Sequence, residues 1–304
     1  MEKIPISAID GIDIGQVTDA ANKTGVTVFL CEKGATGGVS VRGGAPGTRE
    51  TDALQPGRLV SHVHGLFLTG GSAFGLAVAD GMMQYLEERG AGFDTGVANV
   101  PIVSGAVLYD LSEGSSTSRP DAAMGKQACE NITSIFEEGR RGAGTGATIG
   151  KILGRDRQML GGIGQYALQI GPLKVGAVVA VNCFGDVYDP ATGQKVAGVR
   201  HELSTEELLL HGNTAEGKER MNTTIGTVLT NAPLTKDECK TVADIAHNGL
   251  ARTIRPVHTM LDGDTMFTMA TGDINHSSFH QLSVLSVYVV EQAVLSAIRA
   301  SNLL

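Results

Sequence analysis

An α+β layered sandwich, with helices covering buried sheets, is the fold class this sequence predicts. Three observations carry it. β-Branched runs recur in both halves of the chain, at 26–31, 38–42, 63–69, 223–230 and 265–270. Residues 174–183 are almost continuously apolar, as expected of a strand covered on both faces. Segments with helical apolar spacing lie between the strands, at 72–86, 235–251 and 279–304.

Taken in order, 26–31 and 38–42 read as two early antiparallel strands separated by glycine-bearing turns. The strand 63–69 runs into Gly70-Gly71-Ser72, and Ser72 is placed to cap the helix 72–86, in which Phe74, Val78, Met82 and Leu86 share a face. Residues 94–121 read as loop, followed by a helix over 122–136 and a glycine-dense turn over 142–151. Strands 164–170 and 174–183 come next, the second one central. The stretch 201–221, with Glu202, Glu206, Glu207, Glu216, Lys218, Glu219 and Arg220, reads as a solvated linker. It passes abruptly into the strand 223–230. A helix over 235–251 follows, capped by Thr235 with Glu238 at the capping-box position. The turn Asp262-Gly263-Asp264, the strand 265–270 and the long apolar helix 279–304 complete the chain.

Composition narrows the function. With 304 residues, 42% of them hydrophobic, the chain can bury a sizeable core. A formal charge of −8, with no basic cluster beyond pairs such as Arg140 and Arg141, argues against a nucleic-acid partner and for small molecules or peptides. Cys31, Cys129, Cys183 and Cys239 are far apart and form no C-x-x-C pair, so reduced core thiols are expected and no metal site is indicated. The N-terminus lacks an apolar signal core. The longest strongly apolar stretch, 175–181, is far below the roughly 20 residues of a membrane helix. The expectation is a soluble, cytoplasmic protein without a membrane partner.

The chemistry centres on Met221-Asn222-Thr223-Thr224, where a hydroxyl residue opens a strand directly after an exposed polar segment. If the bond before Thr223 is strained, its hydroxyl can attack the Asn222 carbonyl in an N-to-O acyl shift, and water then hydrolyses the ester. Asn suits the leading position because it tolerates unusual backbone angles. Thr223 would then carry a free α-amine, of ordinary pKa near 7.7 to 8.0, beside its own hydroxyl. Nucleophile and general base would share one residue.

Five spaced motifs agree with this. Asn222-Thr-Thr-Ile-Gly226, Thr230-Asn-Ala-Pro-Leu234, Leu250-Ala-Arg252, Asp262-Gly-Asp264 and, upstream, Leu68-Thr-Gly-Gly-Ser-Ala-Phe-Gly75 resemble the DmpA-type aminopeptidase/D-esterase family. The Asn-Thr junction and the Asp-Gly-Asp turn resemble its nylon-oligomer hydrolase branch. The resemblance runs from about Gly11 to the final helix. It implies a four-layer αββα sandwich like that of ornithine acetyltransferase. It further implies one domain, 1–304, cut into 1–222 and 223–304, assembled as a homotetramer of processed pairs and needing no cofactor.

The same resemblance assigns roles. Thr223 matches the nucleophile released by cleavage after Asn222, and Asp262 and Asp264 match the acidic pair that orients it. Asn182, at the end of the apolar strand, matches the oxyanion-stabilising amide. Lys151 matches a site lysine and Tyr109 a substrate-binding tyrosine. One departure bears on substrate: aminopeptidase members carry a glutamate two residues before that tyrosine, and this chain has Val107. Hydrolysis of a small peptide or linear amide is therefore expected, with less claim on a free substrate amine. The alternatives are acyl transfer to an amine, as in ornithine acetyltransferase, and an uncleaved binding scaffold.

Other signals carry less. The segment 144–151 fails both Walker requirements, with Thr145 at the first glycine position and Ile152 after Lys151. Ser72 lacks the second glycine of a hydrolase elbow, which is Phe74 here. His62 and His64 share a strand face but no third metal ligand accompanies them at useful spacing.

Overall fold

The computed structural model describes residues 1–213, 221–275 and 278–302. Its main sheet has ten strands: β1 (Glu2–Ile4), β2 (Asp13–Asp19), β3 (Thr24–Val41), β4 (Thr48–Arg49), β5 (His62–Thr69), β6 (Val103–Val107), β7 (Gly162–Ile170), β8 (Leu173–Asn182), β9 (Thr223–Thr230) and β10 (Thr265–Ala270). The hydrogen-bonded order is β1-β7-β8-β9-β10-β3-β5-β6-β4, with β2 on the free part of β3. The helices are α1 (Val78–Glu87), α2 (Ala122–Glu130), α3 (Thr205–Leu210), α4 (Lys236–Thr253) and α5 (Phe279–Asn302).

The 18-residue strand β3 turns this path into two layers. Its first part pairs with β2 and β5, and its second part pairs with β10. The ladder to β5 shifts register between Leu30 and Ala35, where Gly34 takes a left-handed φ of +83°. A residue without a Cβ adopts that conformation freely. The two early runs are thus one strand that changes partners, not an antiparallel pair of strands, because each half finds better-buried neighbours elsewhere.

Alternation sorts the core into three slabs. On β8, Val175, Ala177, Val179 and Val181 face α4 and α5, meeting Val242, Leu250, Val290 and Val294. Val178 and Ala180 face the other way, against Phe29, Leu66, Leu68 and Phe267 between the sheet layers. Val26, Val28 and Leu30 of β3 pack on Val78, Met82 and Leu86 of α1 and Ala128 of α2. The result is helices, sheet, sheet, helices, the expected αββα order. Burying one Val or Leu side chain contributes about 1.5–3 kcal/mol, so these three slabs dominate stability.

Several expectations need correction. Ser72 does not cap the following helix: it has φ +52° and belongs to a 3-10 segment, Ser72–Ala77, that precedes α1. The predicted loop over 94–121 contains β6, fully buried beside β5, whose small residues Ser104, Gly105 and Ala106 gave no strand signature. The helix expected over 122–136 ends at Glu130, since Ile132 bridges to Gly15 of β2. The linker contains α3, closed by a Ser204–Glu207 capping box, with Thr205 and Leu208 buried. Glu216, Lys218, Glu219 and Arg220 lie outside the described residues, as does Leu304. The helix α5 is itself long and apolar enough to cross a membrane, yet most of it is buried against the sheet. The four cysteines are free and buried, as expected.

Candidate active site

Two strand pairings bring the predicted residues to one end of the sheet. β8 and β9 are antiparallel, in a register that sets Asn182 opposite Thr223. β9 and β10 are parallel, so both begin at this end, and a bridge pairs Asn222 with Asp262 just ahead of them. The sequence folds this way locally because Thr223 and Thr265 open β-branched runs that join the ladder at once, while Asp262-Gly263-Asp264 makes the intervening turn.

At the junction the carbonyl oxygen of Asn222 accepts from the N–H of Gly263 at 3.0 Å and from the hydroxyl of Thr223 itself. Gly263 is needed for this approach. A Cβ there would lie 2.9 Å from Thr223 Oγ1 and 2.6 Å from the carbonyl oxygen of Ala45. Asn222, Thr223, Asp262 and Asp264 are all buried. The side-chain amide of Asn222 is buried with no hydrogen-bond partner among the described residues, a state that costs about 1–3 kcal/mol.

The two carboxylates are held differently. Asp264 Oδ1 accepts the N–H of Thr224 at 2.6 Å, and its Oδ2 accepts from His258, through the main-chain N–H at 3.0 Å and Nδ1 at 2.8 Å. Asp262 Oδ2 accepts the N–H of Thr259 at 2.9 Å and its hydroxyl at 2.5 Å. Burial, and then the neighbouring charge of Asp264, push the Asp262 carboxyl up to about 6, against those Thr259 bonds.

Across the ladder, Asn182 Oδ1 accepts the N–H of Thr148 at 3.0 Å and Lys151 Nζ at 2.8 Å, and its Nδ2 donates to the Tyr109 carbonyl at 3.1 Å. Two donors on Oδ1 fix which end of the amide donates. Lys151 Nζ also donates to the Asn182 carbonyl at 3.1 Å. Burial lowers the Lys151 ammonium to about 8, although nearby acidic groups, Asp262 among them, pull it upward.

Tyr109 stands between two pockets. One reaches Thr223 and is lined by Ala45, Pro46, Val107, Leu108 and Met221; the other holds Lys151, Glu113, Arg155 and Gln158. Among the described residues no carboxylate lines the pocket at Thr223, and Val107, at the position of the aminopeptidase glutamate, is buried in its wall.

All seven predicted residues therefore gather at one place, Lys151 and Tyr109 included. Sequence reasoning missed the Gly263 N–H, Thr148, His258 and Asp110. The spacing from Thr259 to Asp262 was a legible signal for a side chain bonding its own turn. Asp110 is buried beneath the site, holding the N–H of Gly71 at 2.7 Å, and burial pushes its carboxyl up to about 6. Nothing in the pattern Val107-Leu-Tyr-Asp110 announced that.

A family model described as Peptidase family S58 matches residues 5–303. An uncharacterised aminopeptidase of Mycobacterium leprae is 42% identical over 286 residues, spanning 88% of this chain and 79% of that protein. A 6-aminohexanoate-oligomer endohydrolase of Paenarthrobacter ureafaciens is 33% identical over 281 residues, 87% of this chain and 74% of that one. Among solved structures, the L-aminopeptidase D-Ala-esterase/amidase of Ochrobactrum anthropi, a variant of the Ntn hydrolase fold, superimposes with a TM-score of 0.74. It is 20% identical, covering 98% of this chain and 86% of that one.

Proposed function

We propose that this chain, which belongs to peptidase family S58 and is a hydrolase of peptide or amide bonds, makes its own nucleophile by breaking the bond between Asn222 and Thr223. The observation that carries the reading is the Asn222 carbonyl: the Thr223 hydroxyl lies against it while the Gly263 N–H donates to its oxygen. That is the geometry of a carbonyl polarised by a preorganised donor beside an internal nucleophile. Thr223 Oγ1 bonds to the carbonyl carbon, the C–N bond breaks as the nitrogen takes the hydroxyl proton, and an ester results. Water then hydrolyses it to an Asn222 carboxylate and a Thr223 amine.

In turnover the amine takes the proton of Oγ1 as that oxygen attacks the substrate carbonyl, then returns it to the departing amine, leaving an acyl ester that water cleaves. Asn182, its Oδ1 anchored by Thr148 and Lys151, presents Nδ2 on the neighbouring strand as the oxyanion donor. Asp262 Oδ1, buried and without a partner among the described residues, is available to the new ammonium, while Asp264 holds the adjacent N–H of Thr224. The apolar wall at Thr223, with Val107 in it, favours a small peptide or linear amide acyl group over a substrate recognised by its free ammonium. In this reading the processed pairs form a cytoplasmic homotetramer. Thr223→Ala tests the assignment: the protein should stay whole and inactive, and a pure, uncut Thr223→Ala preparation that still hydrolyses amides would refute it.

A further inference from the structure

We propose that the buried side-chain amide of Asn222 holds the water that hydrolyses the Asn222–Thr223 ester, the second step of self-cleavage. The inference rests on the Thr223 reading above. Among the described residues, ten buried side-chain nitrogen and oxygen atoms lack a hydrogen-bond partner, and four of them belong to three residues around this bond: Asn222 Nδ2 and Oδ1, Thr224 Oγ1 and Asp262 Oδ1. Their grouping follows from the ladder. Asn222 and Thr224 are two apart along the strand line, and Asn222 is the bridge partner of Asp262, so the three side chains leave the sheet on one side. Thr223 projects to the other side, that of its ladder partner Asn182. A seat beside Asn222 therefore does not compete with Thr223 Oγ1 for space.

Buried polar groups are satisfied by protein or by water, and a buried water typically makes about three hydrogen bonds to groups otherwise left unpaired. This set suits one water: it accepts from Asn222 Nδ2 and donates to Asp262 Oδ1 and Thr224 Oγ1. Local folding does not need those atoms. The backbone of Asn222 is held by the Leu261 carbonyl and the Gly263 N–H, and the Thr224 N–H by Asp264. Asp262 is held on its other oxygen by Thr259, and the Phe184 main chain also favours its charged form. The step balances. With the acyl group on Thr223 Oγ1, the water oxygen bonds to the Asn222 carbonyl carbon and its proton goes to Asp262 Oδ1. The new α-amine, of ordinary pKa near 7.7 to 8.0, is an ammonium at neutral pH. It gives a proton to Oγ1 as the C–Oγ1 bond breaks, and Asp262 returns its own proton to that amine. The products are the Asn222 acid and a Thr223 with free hydroxyl and ammonium.

Asn222→Leu removes both polar atoms at similar volume and separates the two steps. Each precursor is made by cell-free synthesis and followed on denaturing gels with and without hydroxylamine, a stronger nucleophile that in excess attacks the ester without needing the seat. In buffer alone the leucine chain should cut about 10- to 100-fold more slowly than wild type. Hydroxylamine should bring it near the wild-type rate, with a hydroxamate on residue 222 and a released piece that begins at Thr223. A chain whose scissile bond is merely distorted would stay slow under both conditions. If Asn222→Leu does not fold by circular dichroism, Thr224→Val carries the same test with the same expected pattern, since it loses the hydroxyl and keeps the N–H bonded to Asp264. A variant that cuts at the wild-type rate in buffer, or a slow one that hydroxylamine leaves unchanged, overturns the proposal while the nucleophile assignment stands. A wild-type chain that stays whole with and without hydroxylamine overturns both.

Discussion

A methyl group at Gly263 is the smallest perturbation that the proposed chemistry should feel. Its Cβ would lie 2.6 Å from the Ala45 carbonyl oxygen, 2.9 Å from Thr223 Oγ1 and 3.2 Å from Pro46 Cα. The first two distances fall about 0.5 to 0.8 Å inside ordinary van der Waals separation. The Ala45 segment has little room to retreat, because its N–H is bonded to the Asp262 carbonyl at 2.8 Å. Displacement therefore falls largely on the Thr223 hydroxyl and on the Gly263 N–H that polarises the Asn222 carbonyl. If 1 Å of misplacement costs about 100-fold in rate, half an ångström costs about tenfold, and loss of donor alignment adds to it. Overpacking should cost about 1–3 kcal/mol of the roughly 5–15 kcal/mol typical of a domain, so Gly263→Ala should still fold. Self-cleavage of the precursor, timed on denaturing gels alongside a thermal melt, should slow by about 10- to 100-fold. A folded Gly263→Ala chain that cuts at the wild-type rate would refute the role given to this turn.

Two further outcomes are expected of the processed protein. Asn182→Ala should lower kcat by about 100- to 1000-fold with little change in KM, because its amide donates to charge that develops only in the transition state; steady-state kinetics on a small amide checks this. Activity should follow a bell in pH. The rate should rise in two steps, as Asp262, pushed up to about 6, loses its proton and can accept from the Thr223 ammonium, and as the Thr223 amine, ordinarily near 7.7 to 8.0, becomes neutral and able to act as base. Lys151, lowered to about 8, loses its charge above that value and the rate falls, and Lys151→Met should remove the alkaline limb.

The parts of the fold legible in sequence are those whose local chemistry agrees with their tertiary place. β9 and β10 begin and end where their β-branched runs do, and α4 carries the Thr235–Glu238 capping box in full. The misreadings share a cause, since each segment's partners are remote in sequence. β3 reads as two strands because its halves serve different layers, and β6 reads as loop because Ser104, Gly105 and Ala106 are small enough to lie buried beside β5. The Ser204–Glu207 box was present in a segment whose charge suggested a solvated linker. At the site, the family resemblance pointed to Thr223, Asn182, Asp262 and Asp264, but not to what holds them. His258 and Thr148 act through hydrogen bonds to a predicted residue's side chain, two from His258 to Asp264 and one from the Thr148 main chain to Asn182, which no one-dimensional pattern encodes.

The most direct measurement is the covalent state of the active molecule. Denaturing mass analysis with N-terminal sequencing should find two pieces of about 23 and 8.5 kDa, in proportion to 222 and 82 of the 304 residues of a 31.6 kDa chain. The smaller piece should begin Thr-Thr-Ile-Gly. A fully active preparation consisting of one unbroken 304-residue chain would contradict the account, because Thr223 would then have no amine to serve as its base.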